Sequence, residues 1–89
     1  MFGFEKVNFV LCGVAETEEE AIKLIEEAKK AMCALGFEFV YDYSMKSMEH
    51  GDFICGAMFN ASRRRMNWLC KKAGLYVQHK VNGIYFLTS

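Results

Sequence analysis

The residues able to do chemistry are few and scattered. Two histidines, His50 and His79, and four cysteines, Cys12, Cys33, Cys55 and Cys70, are spread over 89 residues, and no two cysteines form a C-x-x-C pair. A nucleophilic couple such as Cys55 with His79 would depend wholly on tertiary proximity, because the spacing carries no signature of one. Four-thiolate metal sites take ligand pairs from tight turns, whereas these cysteines fall inside regular elements. They are expected to be four buried free thiols in a reducing compartment. Asp42, Glu49, His50 and Asp52 gather near one turn, where a metal could be collected but where polar loops also ordinarily place such residues. No constellation defines a reaction class. The expectation is a binding module rather than an enzyme, with no cofactor.

The charges say more. Lysine and arginine number eleven and the acids eleven, yet from His50 onward Asp52 is the only acid, against Arg63, Arg64, Arg65, Lys71, Lys72 and Lys80. Most of these bases lie in "NASRRRMNWLCKKAG", residues 60–74, with the only tryptophan. On a wheel of about 100° per residue, Ser62, Met66, Leu69, Cys70 and Ala73 form a core stripe. Trp68 lies nearly opposite, among Arg64, Arg65, Lys71 and Lys72. An exposed indole flanked by cations is a platform for a base or a partner side chain. Three arginines in a first helical turn oppose the helix dipole, at roughly 0.3–1 kcal/mol each. A phosphate or carboxylate seated on exposed helix-start amides would offset that cost.

Those side chains need elements to position them. "FEKVNFVLCGV" is rich in β-formers and apolar on both faces, as a central strand is. "AETEEEAIKLIEEAKKAMCALG" reads as a helix with a Thr17–Glu20 capping box, acids in its first turn and Gly36 beyond its end. Its expected buried stripe is Ile22, Ile25, Ala28, Met32 and Leu35. "FEFVYDYSMK" alternates, which places Phe37, Phe39, Tyr41, Tyr43 and Met45 on one strand face. "SMEHGD" is a turn and "FICGAMFN" the next strand. The arginine helix follows and ends at Gly74. Asn82-Gly83 then marks a two-residue hairpin that pairs Val81 with Ile84, His79 with Phe86 and Val77 with Thr88. Leu75, Val77, Val81, Ile84 and Phe86 are expected to face inward.

The order β-α-β-β-α-β-β in one domain of residues 1–89 predicts an α+β fold. The specific expectation is a ferredoxin-like β-α-β-β-α-β sandwich with an added C-terminal hairpin strand and both helices on one face of a mainly antiparallel sheet. In that arrangement Lys29 and Lys30 approach Arg63, Arg64 and Arg65, with Lys80 and Lys6 at the same end. Glu16, Glu18, Glu19 and Glu20 lie at the other.

Two local stretches resemble known families. "HGDFICGAMF" is faintly similar to the longer motif of RNA-recognition domains, through Gly51, Phe53, Ala57 and Phe59, without that motif's leading basic residue. "SRRRMNWLCKKAGLYVQHKVNGIYFL" resembles the recognition helix and wing of winged-helix DNA-binding domains, and this implies nucleic-acid binding; strands stand where that family has two preceding helices.

No apolar run reaches the length of a membrane span, and the start lacks signal-peptide character, so a cytoplasmic location is expected. The leading expectation for function is a non-enzymatic module that binds nucleic acid or another polyanion through Arg63, Arg64, Arg65, Trp68, Lys71, Lys72, Lys29, Lys30 and Lys80. The alternative is a protein-interaction module, an inhibitor or adaptor. It would engage an acidic protein, or homodimerise through a sheet face left apolar by Val40, Ile54 and Met58.

Overall fold

The computed structural model describes residues 3–89. Strand β1 (Lys6–Ala15) leads into helix α1 (Glu18–Ala34), then β2 (Glu38–Lys46), β3 (Phe53–Ser62), α2 (Arg63–Ala73), β4 (Tyr76–Val81) and β5 (Ile84–Thr88). The local signals act where they were read. Thr17 accepts the Glu20 amide at 3.2 Å. Ser62, expected in the core stripe of the second helix, instead caps that helix by accepting the Arg65 amide at 3.3 Å. Gly74 caps α2 in the left-handed region. The hairpin turns on Asn82 and Gly83, with φ of 50° and 78°, the sign that a primed two-residue turn requires.

The five strands form one mixed sheet in the order β2-β3-β1-β5-β4. The first three strands sit as the ferredoxin-like reading places them. The difference lies beyond β1. The strand after α2 does not pair with β1; β4 is carried to the sheet edge, and β5 returns between them, parallel to β1. Asn82-Gly83 makes this possible, because a tight hairpin lets the last strand turn back and fill the gap. The strand that would be a winged-helix wing is thus built into the main sheet.

One face of the sheet carries the core. Phe9, Phe37, Ala57, Phe59, Ala61 and Leu87 pack beneath Met32 of α1 and Met66 and Leu69 of α2. The buried stripe of α1 is Ala21, Ile25 and Met32, whereas Ile22 and Leu35 are exposed. Ile25 and Met32 stay in the expected stripe, but Ala21 takes the place of Ile22 at its start, so that an alanine makes the close approach to the sheet.

Two bulges redirect side chains. Phe39 opposes Phe59 but Tyr41 opposes Met58, which leaves Val40 as an extra residue. Phe37 and Phe39 therefore face the helices, while Tyr41, Tyr43 and Met45 face the uncovered side, contrary to the single aromatic stripe read from alternation. A second irregularity at Gln78 pairs Val77 with Leu87 rather than Thr88. In β5, Tyr85 and Leu87 register with Phe9 and Leu11 on the core side. Val81, Ile84 and Phe86, expected inside, face away.

Candidate functional site

The arginine turn is assembled from two stretches distant in the sequence. The segment before β1 runs across the start of α2. Gly3 accepts the Arg64 amide at 2.8 Å and Glu5 accepts the Arg63 amide at 3.0 Å, while Ser62 takes that of Arg65. The first three amides of α2 are therefore satisfied by the chain itself. This overturns the expectation of exposed helix-start amides awaiting an anion. A shallow cleft of about 300 Å³ bounded by Gly3, Arg63, Arg64 and Asn67 lies there, but its helix donors are spent.

Each arginine also has a place. The Arg63 guanidinium lies 2.9 Å from the Glu5 carboxylate. Arg64 sits over the Phe4 ring at 5.6 Å. Arg65 donates to the Leu35 carbonyl at 2.7 Å and covers Phe37 at 4.4 Å. That carbonyl belongs to the C-cap of α1, whose last turn holds no basic residue. Arg65 supplies from α2 the positive charge that α1 lacks at its negative end. Arg65 can do so because the start of α2 meets the end of α1.

The remaining predicted cations divide into separate groups. Lys29 turns toward the β2 edge, 3.4 Å from Asp42 and 4.4 Å over Phe39. Lys30 is exposed nearby, beside a hollow it lines with Glu26, Glu27 and Cys33. Lys80 lies 4.7 Å over the Tyr85 ring. Hydrogen bonding from Lys80, and then from Arg63, holds the Tyr85 phenol below its ordinary range. Lys71 and Lys72 lie in the last turn of α2, about 12 Å along the helix from Arg63 at 1.5 Å per residue. Lys72 stands 5.8 Å from the Trp68 ring, and Trp68 is 43% exposed. Lys80 and Arg63 thus meet at Tyr85, as expected of cations at one end of the domain, while Lys71 and Lys72 stand at the far end of α2.

The candidate catalytic and metal groups are also separated. Cys55 packs with Ala21 and Ile25 on the helix side, whereas His79 stacks on Phe86 at 4.6 Å on the other face; the sheet stands between them. Asp42 is engaged with Lys29 rather than with the turn at His50. Among the described residues, no three metal-ligating side chains come together. Cys33, expected to be buried, is exposed; Cys12 and Cys70 are half-buried and Cys55 fully so.

What sequence reading understated is the uncovered face of the sheet. Strand register collects there Val10, Cys12 and Val14 of β1, Ile54 and Met58 of β3, Tyr41, Tyr43 and Met45 of β2, with Ile84, Phe86, Tyr76, His79 and Val81 of the hairpin. The only charged residues in its register are Lys6 and Glu38, at one end. Val10 and Met58 are buried by their neighbours, but Val14 is 63% exposed, Tyr76 57% and Met45 56%. Tyr43 lies across Gly56, where a Cβ would meet its ring at 2.7 Å, so the absent side chain is what admits the aromatic. Burial raises the Cys12 thiol and the Tyr43 phenol, which sit together on this face. A groove of about 550 Å³ is lined by Cys12, Val14, Tyr43, Ile54, His79 and Phe86.

Comparison with protein-family models, with curated proteins and with solved structures finds no match.

Proposed function

We propose that this domain is a non-enzymatic protein-interaction module that docks its partner on the uncovered face of its sheet. The observation that carries the reading is the makeup of that face. Lysine and glutamate stand only at one end of it, and large apolar side chains across the rest stand half in water. Contiguous apolar surface of this kind on a small domain marks an interaction site. The arginine turn supports the same reading by subtraction, because its amides and the guanidinium groups of Arg63 and Arg65 already have partners within the chain.

Polyanion binding is the second reading, and one observation favours it. Trp68 stands exposed beside Lys72, an arrangement suited to stacking a base or pairing with an acidic side chain. One experiment separates the two. Tagged protein is used to recover its partners, second copies of itself included, with and without nuclease. The docking reading expects recovery that resists nuclease, is abolished by Ile54→Glu, and survives Trp68→Ala with Lys72→Ala. Recovery that nuclease removes, that those α2 substitutions abolish and that falls steeply with salt would replace it with the polyanion reading.

A further inference from the structure

Resting on the docking reading above, we infer that the occupant of the uncovered face is a second copy of this chain, packed sheet to sheet about a two-fold axis that runs along β1. Three observations support this. The first is area. Five strands about 4.8 Å apart and up to ten residues long, at about 3.3 Å per residue, make a face of roughly 600 Å². That approaches the roughly 800 Å² that each partner contributes to a standard interface. The second is charge. Lys6 and Glu38 lie at the rim, so closing two such faces buries no unpaired ion, and the apolar centre with a polar rim has the anatomy of a protein interface. The absence of charge also leaves nothing that selects a charged partner.

The third is the layout of the rows. β1 is the middle strand of five, so an axis along it lays β2 over the partner's β4 and β3 over the partner's β5. Reading across one row of registered residues gives Tyr41, Met58, Val10, Phe86 and His79. The next row on this face in one direction gives Tyr43, Gly56, Cys12, Thr88 and Tyr76. A two-fold rotation sets Tyr41 of each copy over the partner's His79, and Tyr43 over the partner's Tyr76. Aromatic meets aromatic at both edges, while at the centre the half-buried Phe86 of each copy lies over the partner's Met58, which its own sheet already covers. Aligned packing of this kind is the ordinary way for two sheets to close.

The test uses the full chain. Sedimentation over a wide concentration range should give twice 10.2 kDa. Tyr41→Lys and His79→Glu change exposed residues and should leave thermal unfolding of the protomer intact. Tyr41→Lys should weaken the dimer by about 100-fold, the effect of losing an interface anchor. Mixing the Tyr41→Lys and His79→Glu chains should restore association as a heterodimer, because one lysine then faces one glutamate. A wild-type chain that stays monomeric at every concentration overturns the second copy; the docking reading then stands or falls on whether Ile54→Glu abolishes partner recovery. A dimer indifferent to Tyr41→Lys forms elsewhere and overturns the second copy on this face, and the docking reading is again decided by Ile54→Glu. A dimer that Tyr41→Lys breaks but mixing does not restore keeps the second copy and overturns the axis along β1.

Discussion

Arg65 is the residue whose sequence position and structural task differ most. In the sequence it is one of three like charges at a helix start, where the dipole disfavours it. In the fold its guanidinium reaches the Leu35 carbonyl at the end of α1 and lies over Phe37. The second helix's unfavourable charge is the first helix's favourable one. A charged hydrogen bond of this type, partly exposed to water, contributes about 1–2 kcal/mol. Arg65→Ala should lower domain stability by that amount, read as a fall in urea midpoint at unchanged slope. Arg64→Ala removes only a contact with the exposed Phe4 ring and should cost under about 0.5 kcal/mol. Equal effects would show that the carbonyl clamp contributes nothing of its own.

At the scale of elements, β2 shows how one residue sets the character of a surface. Val40 is the extra residue between two registered pairs, Phe39 with Phe59 and Tyr41 with Met58. Side chains alternate with period two, so an uncompensated insertion would send every later residue to the wrong face. The bulge instead sends Phe37 and Phe39 into the core and turns Tyr41, Tyr43 and Met45 outward. Because the pairs on either side are already in register, removing Val40 should restore an unbroken ladder without exchanging faces. The deletion variant should fold, keep the amide protection of β2 in hydrogen exchange, and change stability by less than about 1 kcal/mol. Loss of protection throughout β2 would mean that the strand needs the bulge for its twist.

For the molecule as a whole, the titrating groups set the alkaline limit of stability. Burial pushes up the thiols of Cys12, Cys55 and Cys70 and the phenol of Tyr43. An acid raised in this way keeps, when folded, a proton that the unfolded chain releases. Stability is therefore full below the unfolded values, 9.0 for the thiols and 10.0 for Tyr43, and is lost as pH rises through the higher folded values. Tyr85 has the opposite sign. Its phenol is lowered by Lys80 and Arg63, so its contribution is present above the unfolded value and is lost as pH falls through the folded one. Four groups of one sign against one of the other should make the urea midpoint flat near neutral pH and falling from about pH 9. Cys55→Ala should make the first part of that fall shallower; an unchanged slope would place the loss elsewhere.

Local chemistry in the sequence was enough to place the cap at Thr17, the stop at Gly74, the hairpin at Asn82-Gly83, the order of seven elements and the exposure of Trp68. Each of these depends on backbone groups or side chains within a few residues of one another. The strand order beyond β1, the inward turn of Leu87 instead of Phe86, the Val40 bulge and the partners of the arginines were decided only in three dimensions. Each depends on which distant segment supplies a hydrogen bond. Gly3 and Glu5 close the start of α2 from some sixty residues away, and nothing in "SRRR" records that. Periodicity likewise shows that both sheet faces are apolar. Which face the helices cover is settled by the crossovers that place both of them on the side of Phe9 and Phe59, and this leaves the face of Tyr41, Ile54 and Val14 open.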